Sequence, residues 1–470
     1  MNWILFAIWM VMIIGVIFVE RKNPQETMLW ALILVCIPYF GLLLYLVFGK
    51  TPGHKLTRVF RSVRFKSDWR KNVASKSTFE VHECDTPLSE TENRVATFNH
   101  NYNQTPLVAV EDYELLTDGN SHYKRLFSDI ENAKESVHIL FYTIHNDETG
   151  HALVDLLAKK AREGVTVWVM IDFLANIGST PKMFKPLIDA GGRMHRLKPF
   201  LHHFRSHRKI VVLDSTVGYI GGMNIGDKYR DLDKVKTPWR DTQIRLTGSC
   251  VSELERYFLT DWLNAIRKKH GDEVIEELAH IETRLVNTGT RPCQIVAGGA
   301  ESDLQRVKMA YLTMIGSAKK KIRIQSPYFV PDATILEALR AAQASGVQVD
   351  LMIPAIPSSF FLEPVTLHYC KELLEVGARV FRYHGYLHAK TMTVDDELCC
   401  IGSVNMDMRS LCVDDEVCGI FYDKEMTEEH IAQFRHDKER CIGYTMMDYE
   451  KRSFMSHVGE QILLLFAPLM

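Results

Sequence analysis

At 470 residues the chain is long enough for two or three domains with large cores. A net charge of −2 does not mark the chain as a whole as a polyanion binder. The 10 cysteines include no pair at zinc-finger spacing, so they read as reduced, packed thiols and call for neither a metal nor a disulfide.

Residues 3–19 are an unbroken apolar run, about 26 Å long as a helix, and residues 28–48 are another of about 32 Å. A bilayer core is about 30 Å thick, so both read as transmembrane helices, the first at the short end. Pro38 and Gly41 are tolerable in such a helix. Residues 20–27 form a polar hairpin between the runs. A cleaved leader in place of the first span remains the alternative, though the run lacks a positive start and a small-residue cleavage site. After the second run come Lys50, Lys55, Arg58, Arg61, Arg64, Lys66, Arg70 and Lys71, against Asp68 alone. Basic residues stay on the cytoplasmic side, which places the bulk of the chain there, against anionic lipid. This defines a membrane anchor over 1–50, a basic juxtamembrane segment and linker over 51–107, a first lobe over 108–270, a connector over 271–290 and a second lobe over 291–470.

The two lobes have matching texts. In the first, Ser136–Tyr142 reads as a strand, Gly150–Glu163 as a helix and Gly164–Asp172 as a buried strand. In the second, Lys321–Gln325, Ala333–Ser345 and Gly346–Pro354 repeat the order. Each then has a helix, ending near Ala190 or Val376, another strand and a His-Lys motif. Strand–helix alternation predicts an α/β fold: two pseudo-symmetric lobes, each a mixed β-sheet flanked by helices, sharing one cleft. Residues 231–238 read as a loop. Val251–Lys269 reads as a helix with Phe258, Trp262 and Ile266 on its core face. In the loop 354–364, Phe360, Phe361 and Leu362 suit either a membrane-dipping loop or a cleft wall. The apolar end, residues 461–470, is too short to span; it packs on the core or lies at the membrane interface.

The motifs carry the chemistry. His207, Lys209, Asp214, Gly221 and Asn224 recur at identical spacing as His388, Lys390, Asp395, Gly402 and Asn405. One His-x-Lys is common by chance; two copies matching over 18 residues indicate a duplicated phosphate-handling unit. On an extended segment His and Lys share a face. Lys209, Lys390, Asn224 and Asn405 suit the non-bridging oxygens of a phosphodiester. One His attacks phosphorus; the other protonates the leaving alcohol and then deprotonates the incoming one. Asp214 and Asp395 complete the motifs as part of the catalytic set, but their odd spacing turns them to the other face, toward a turn or inter-strand role. Ser403, a further candidate for the phosphate, faces Gly222 in the other copy, so the halves are not chemically equivalent. His202 and His203 lack nearby acidic or thiol ligands, so no metal is assigned, and the reaction calls for no cofactor.

The paired motifs resemble the HKD motifs of the phospholipase D superfamily. The wider wording, His203–Ile210, Tyr219–Gly226, Trp239–Thr242 and Gln325–Pro331, resembles bacterial cardiolipin synthases over nearly the whole chain. The resemblance implies a phosphatidyltransferase that joins two phosphatidylglycerol molecules into cardiolipin and releases glycerol. It suggests His207 as nucleophile and His388 as acid/base, an order the residues alone leave open. It also makes Asp241 and Glu416 candidates to orient one His each. The alternative is a hydrolase of the same superfamily. A nuclease would show a broadly basic cleft; here positive charge gathers beside the apolar runs, so no nucleic-acid partner is assigned. Whether the chain forms a homo-oligomer stays open.

Overall fold

The computed structural model describes residues 84 and 86–467 except 178–181, 198–204, 233–237, 267–287, 300–303, 358, 360 and 466, and from the first 83 only 3, 9–11, 13–14, 24–37, 40–41 and 45. The chain divides into two compact units. One comprises residues 1–78 with 199–204, the other residues 79–198 with 205–470.

In the first unit a helix runs over Pro24–Cys36. Trp30, Leu34 and Tyr45 pack together with Ile13 and Ile33 against them, and Trp9 Nε1 donates to the Leu34 carbonyl at 2.8 Å. Among the described residues no helix is long and apolar enough to cross a membrane. The expected span over 3–19 falls largely, and the basic run from Lys50 to Lys71 wholly, outside those residues; of the span over 28–48, residues 28–37, 40–41 and 45 are described.

The second unit is built on two mixed sheets. Its strands, in chain order, are β1 (Val108–Val110), β2 (Tyr113–Leu116), β3 (Ser136–Phe141), β4 (Thr166–Asp172), β5 (Arg193–Leu197), β6 (Ile210–Leu213), β7 (Val217–Gly221), β8 (Trp239–Arg240), β9 (Gln243–Thr247), β10 (Arg291–Gly298), β11 (Lys321–Gln325), β12 (Phe329–Val330), β13 (Gln348–Pro354), β14 (Arg379–Tyr383), β15 (Tyr386–Leu387), β16 (Thr391–Val394), β17 (Leu398–Gly402), β18 (Met406–Asp407), β19 (Glu416–Phe421) and β20 (Cys441–Tyr444). One sheet has the order β2-β9-β7-β6-β3-β4-β5; the other runs β1-β10-β19-β17-β16-β11-β13-β14-β20. The run β9-β7-β6-β3-β4-β5 and the run β19-β17-β16-β11-β13-β14 are the same unit twice. In each, the inner strands are parallel (β3 with β4, β11 with β13) and the hairpin carrying the motif is antiparallel (β6 with β7, β16 with β17).

Alternation along the strands sorts side chains between cores. Ile210 and Val212 of β6 face a central core that also holds Cys399 and Ile401 of β17 and Phe258 and Trp262 of the helix Cys250–Ile266. Val211 and Leu213 face an outer core of the first lobe, and Leu398 and Cys400 face that of the second. The central core therefore joins the two lobes, and the adjacent thiols Cys399 and Cys400 point to opposite cores, as expected. Within it β7 and β9 pack against β17 and β19. The repeated motif glycines allow close strand approach. A Cβ on Gly221 would lie 2.4 Å from the Thr242 carbonyl oxygen, and one on Gly402 2.4 Å from that of Val417.

Two expectations need correction. The linker within 51–107 contains a helix, Glu90–Asn103, begun by a Ser89/Glu92 capping box. Its Val95 and Ala96 pack into the second lobe's core, a tertiary contact that its polar composition does not announce. Strand β1 likewise pairs with β10, so residues 108–110 belong to the second lobe's sheet, not the first. The apolar C-terminus is a helix over Phe454–Leu464. In the loop 354–364 Phe361 is exposed, Leu362 opens the helix Leu362–Leu374, and Phe360 lies outside the described residues. The connector over 271–290 is described only at its last three residues, and most of the loop 231–238 is not described.

Candidate active site

Each motif sits on an extended segment leading into the antiparallel hairpin of its lobe. The two segments are clipped to the opposite lobe. Ser206 bridges to Asp415, and the His207 N–H donates to the Asp415 carbonyl at 2.9 Å. In mirror fashion β15 pairs with β8, Leu387 opposite Arg240, and the His388 N–H donates to the Arg240 carbonyl at 2.6 Å. The residue after each acceptor is the carboxylate. So His207 Nδ1 lies 2.8 Å from Glu416 Oε1, and His388 Nδ1 lies 2.6 Å from Asp241 Oδ2. The orientation is crossed: each lobe's carboxylate holds the other lobe's imidazole. With Nδ1 committed to a carboxylate, Nε2 is the ring atom left for chemistry.

Both lysines are fully buried. Lys209 Nζ donates to the His207 carbonyl at 2.6 Å, and Lys390 Nζ to the His388 carbonyl. Burial pushes Lys209 down to about 7 and Lys390 down to about 8. Burial, then Lys209 and Lys390, holds the His207 imidazole well below its usual range. Burial and Lys390 push His388 down to about 3. The charges of both lobes thus act on each imidazole, which puts the twin motifs in one electrostatic environment. Both shifts favour the neutral imidazole.

The carboxylates differ. Burial raises Glu416 to about 7 against the pull of Lys209 and Ser403. At Asp241 burial works in the same upward direction, but His388, Lys390 and the Thr242 N–H outweigh it, and the carboxyl lies below its usual range. The surroundings differ too. His388 is ringed by Trp239 at 5.4 Å, Tyr386 at 5.9 Å and Tyr229 at 6.4 Å. His207 has Tyr142 edge-on at 4.9 Å.

Three sequence assignments change. Asp214 and Asp395 do not join the imidazoles. They sit at the far ends of β6 and β16 in left-handed turns, where Asp214 accepts the N–H groups of Lys134, Glu135 and Ser136. Asp395 accepts those of Lys319, Lys320 and Lys321. Each caps the start of its lobe's inner strand. Ser403 does not offer its hydroxyl to a phosphate. That hydroxyl donates to Glu416 Oε2 and accepts the Val417 N–H at 3.0 Å. Asn224 also serves its own lobe: Nδ2 donates to the Tyr229 hydroxyl at 3.1 Å, and Oδ1 accepts the Thr143 N–H at 3.3 Å. Asn405 lies beside Asp407, and its Oδ1 is buried with no hydrogen-bond partner.

The aromatic wall of Trp239, Tyr386 and Tyr229 is the feature the sequence reading missed. Its one linear trace is that Trp239 adjoins the Arg240–Asp241 pair. Among the described residues no group of three His, Cys, Asp or Glu side chains is arranged to hold a metal; His202 and His203 lie outside them.

A family model described as "Cardiolipin synthase, PLD-like domain" matches residues 126–262 and 311–438. Another, "Phospholipase D-nuclease N-terminal", matches residues 7–50. The chain is 34% identical to the major cardiolipin synthase of Bacillus subtilis over 99% of its own length and 98% of that protein's. It is 34% identical to a cardiolipin synthase of Clostridium perfringens over 96% of each chain. Among solved structures, a phosphatidylserine synthase of Haemophilus influenzae superposes with a TM-score of 0.60 at 17% identity, covering 80% of this chain and 97% of that one. That last likeness shows the shared fold.

Proposed function

The chain belongs to the bacterial cardiolipin synthase family of the phospholipase D superfamily, and from that premise we propose the course of its reaction. The enzyme makes cardiolipin, and its donor and acceptor are both phosphatidylglycerol. His207 Nε2 attacks the phosphorus of the first molecule while the bond from phosphorus to the glycerol oxygen breaks. His388, protonated once the phosphate has entered, gives its Nε2 proton to that oxygen, and glycerol leaves. The terminal hydroxyl of the second phosphatidylglycerol then loses its proton to His388 and attacks phosphorus. The P–N bond breaks, which returns His207 to its neutral form. Lys209 and Lys390 offset the charge that grows on the non-bridging oxygens.

This division of labour follows from the unequal carboxylates. An acid must carry a proton, and the ionised Asp241 favours an imidazolium at His388. A nucleophile needs the Nε2 lone pair; ionised Glu416 accepts the Nδ1–H of a neutral His207 and leaves Nε2 free, while its pKa, raised to about 7, makes it the weaker stabiliser of an imidazolium. The chain is anchored by two spans over 3–19 and 28–48, with its catalytic part on the cytoplasmic side. The apolar runs and the basic segment after them support that placement.

The observation that carries the reaction is the crossed pairing, which makes each imidazole's orientation depend on the other lobe. The test is expression in a strain that lacks cardiolipin, alongside His207→Ala and His388→Ala. Cardiolipin should appear with the natural chain and with neither variant. No cardiolipin from the natural chain would end the functional assignment; a variant as active as the natural chain would end the mechanism.

A further inference from the structure

The helix Phe454–Leu464 is inside out for a water-soluble surface. Its only acidic residue, Glu460, is fully buried. That carboxylate accepts from the Tyr449 hydroxyl at 2.6 Å and from Arg452 Nη1 at 2.6 Å, and it meets His368 Nδ1 at 2.9 Å. The opposite face carries Phe454, Met455, Val458, Ile462 and Leu465, a stripe at helical spacing. Phe454 is 79% exposed, Met455 73%, Ile462 55% and Leu465 68%. A fold that buries its one carboxylate and turns four large apolar side chains outward has sorted them for a non-aqueous neighbour.

The size of the face says which neighbour. The exposed apolar stripe is on the order of 500 Å², below the roughly 800 Å² per partner of a stable protein interface. The exposed charges just before it, Glu450 and Lys451, offset each other, so burial among acyl chains, not charge, holds this face to a bilayer. The inner side of the same helix also leads toward the active site. Leu463 and Leu464, with Ala467, pack on Val330 and Val365. Val365 belongs to the helix Leu362–Leu374, whose Leu362 and Thr366 line an open groove with Pro327 and Tyr328. The Tyr328 carbonyl accepts from Ser326 Oγ, which in turn accepts the Met406 N–H next to Asn405 of the second motif.

We propose that this outward face is a bilayer-contact surface, seated among lipid acyl chains so that substrate enters the groove beside Tyr328 without crossing water. The proposal rests on the phosphatidylglycerol reading of the reaction. The test uses full-length protein carrying Phe454→Ser, Ile462→Ser and Leu465→Ser together. Each form is assayed on phosphatidylglycerol in vesicles and on a short-chain phosphatidylglycerol dissolved as monomers. The triple variant should lose roughly tenfold or more on vesicles, and keep its rate on the monomeric lipid. As a direct probe, Phe454→Trp fluorescence should be quenched by vesicles of brominated lipid. Equal loss on both substrates, or no loss on either, would overturn the proposal. So would a dimer of the natural chain in solution that the triple substitution splits. If the natural chain makes no cardiolipin in either format, the functional reading fails instead.

Discussion

The two halves of the active site share a plan and differ in material. Around His388 the walls are Trp239, Tyr386 and Tyr229, and the orienting group is an ionised aspartate. Around His207 the orienting group is a glutamate pushed up to about 7, with a serine hydroxyl on its second oxygen. The difference traces to one pair of positions. A Cβ at Gly222 would lie 2.1 Å from Asp241 Oδ1, so the first lobe admits only glycine beside its shorter carboxylate. In the second lobe Ser403 occupies the equivalent position and bonds to the longer Glu416. Duplication supplied two equal frames, and the glycine–serine difference gives their orienting carboxylates different neighbours.

The most severe way to break this comparison is to remove either imidazole. His207→Ala and His388→Ala should each lower kcat about ten-thousandfold. With a phosphatidyl donor that has a nitrophenol leaving group, which needs no acid, His388→Ala should still release a burst of nitrophenol and His207→Ala should not. The reverse pattern would exchange the two roles.

Next come the carboxylates. Asp241→Asn should cost about a thousandfold in kcat/KM, and Glu416→Gln about a hundredfold. Glu416 is the milder loss because burial raises its pKa to about 7, which weakens its hold on a positive imidazole. Equal losses across pH 6 to 9 would mean that the two pairs act alike.

A smaller effect tests the glycine–serine swap. Gly222→Ser should displace Asp241 and cost roughly a hundredfold in kcat, while Ser403→Ala should cost about tenfold. Ser403 lowers the Glu416 pKa, so its removal should move the acid limb of kcat/KM to higher pH. On the alkaline side, Lys209 at about 7 and Lys390 at about 8 are charged below those values and neutral above them. In the natural chain kcat/KM should therefore fall as pH rises through that range. A profile flat to pH 9 would show that both lysines keep their charge.

The mildest change concerns the motif aspartates. Asp214→Ala or Asp395→Ala removes one acceptor for three N–H groups and should lower stability by about 2 kcal/mol, read as a lower urea midpoint. Activity of the protein that remains folded should stay close to normal. A selective loss of kcat with unchanged stability would return these residues to the chemistry.

Much of this was readable along the chain. The strands Lys321–Gln325 and Ser136–Phe141 stand where apolar β-branched runs place them, and the helix Cys250–Ile266 buries Phe258, Trp262 and Ile266 as its spacing implies. The odd offset of Asp214 and Asp395 pointed away from the imidazoles, and the backbone N–H groups they accept go with that reading rather than with their place in the catalytic set. Illegible were the helix Glu90–Asn103, whose polar text hides Val95 and Ala96, and the transfer of β1 to the other sheet. Both depend on which distant surface the segment meets.

By itself, then, the linear text determined the duplicated frame, the strands and helices that the two lobes repeat, the four His and Lys side chains and the family they belong to. These follow from short-range periodicity and from a repeat that needs no third dimension to be seen. Only the tertiary structure decided which carboxylate holds which imidazole. Glu416 is 209 positions from His207 and Asp241 is 147 from His388. No local propensity reaches that far; the choice is made when the central core of β7, β9, β17 and β19 packs the lobes face to face and exchanges their partners.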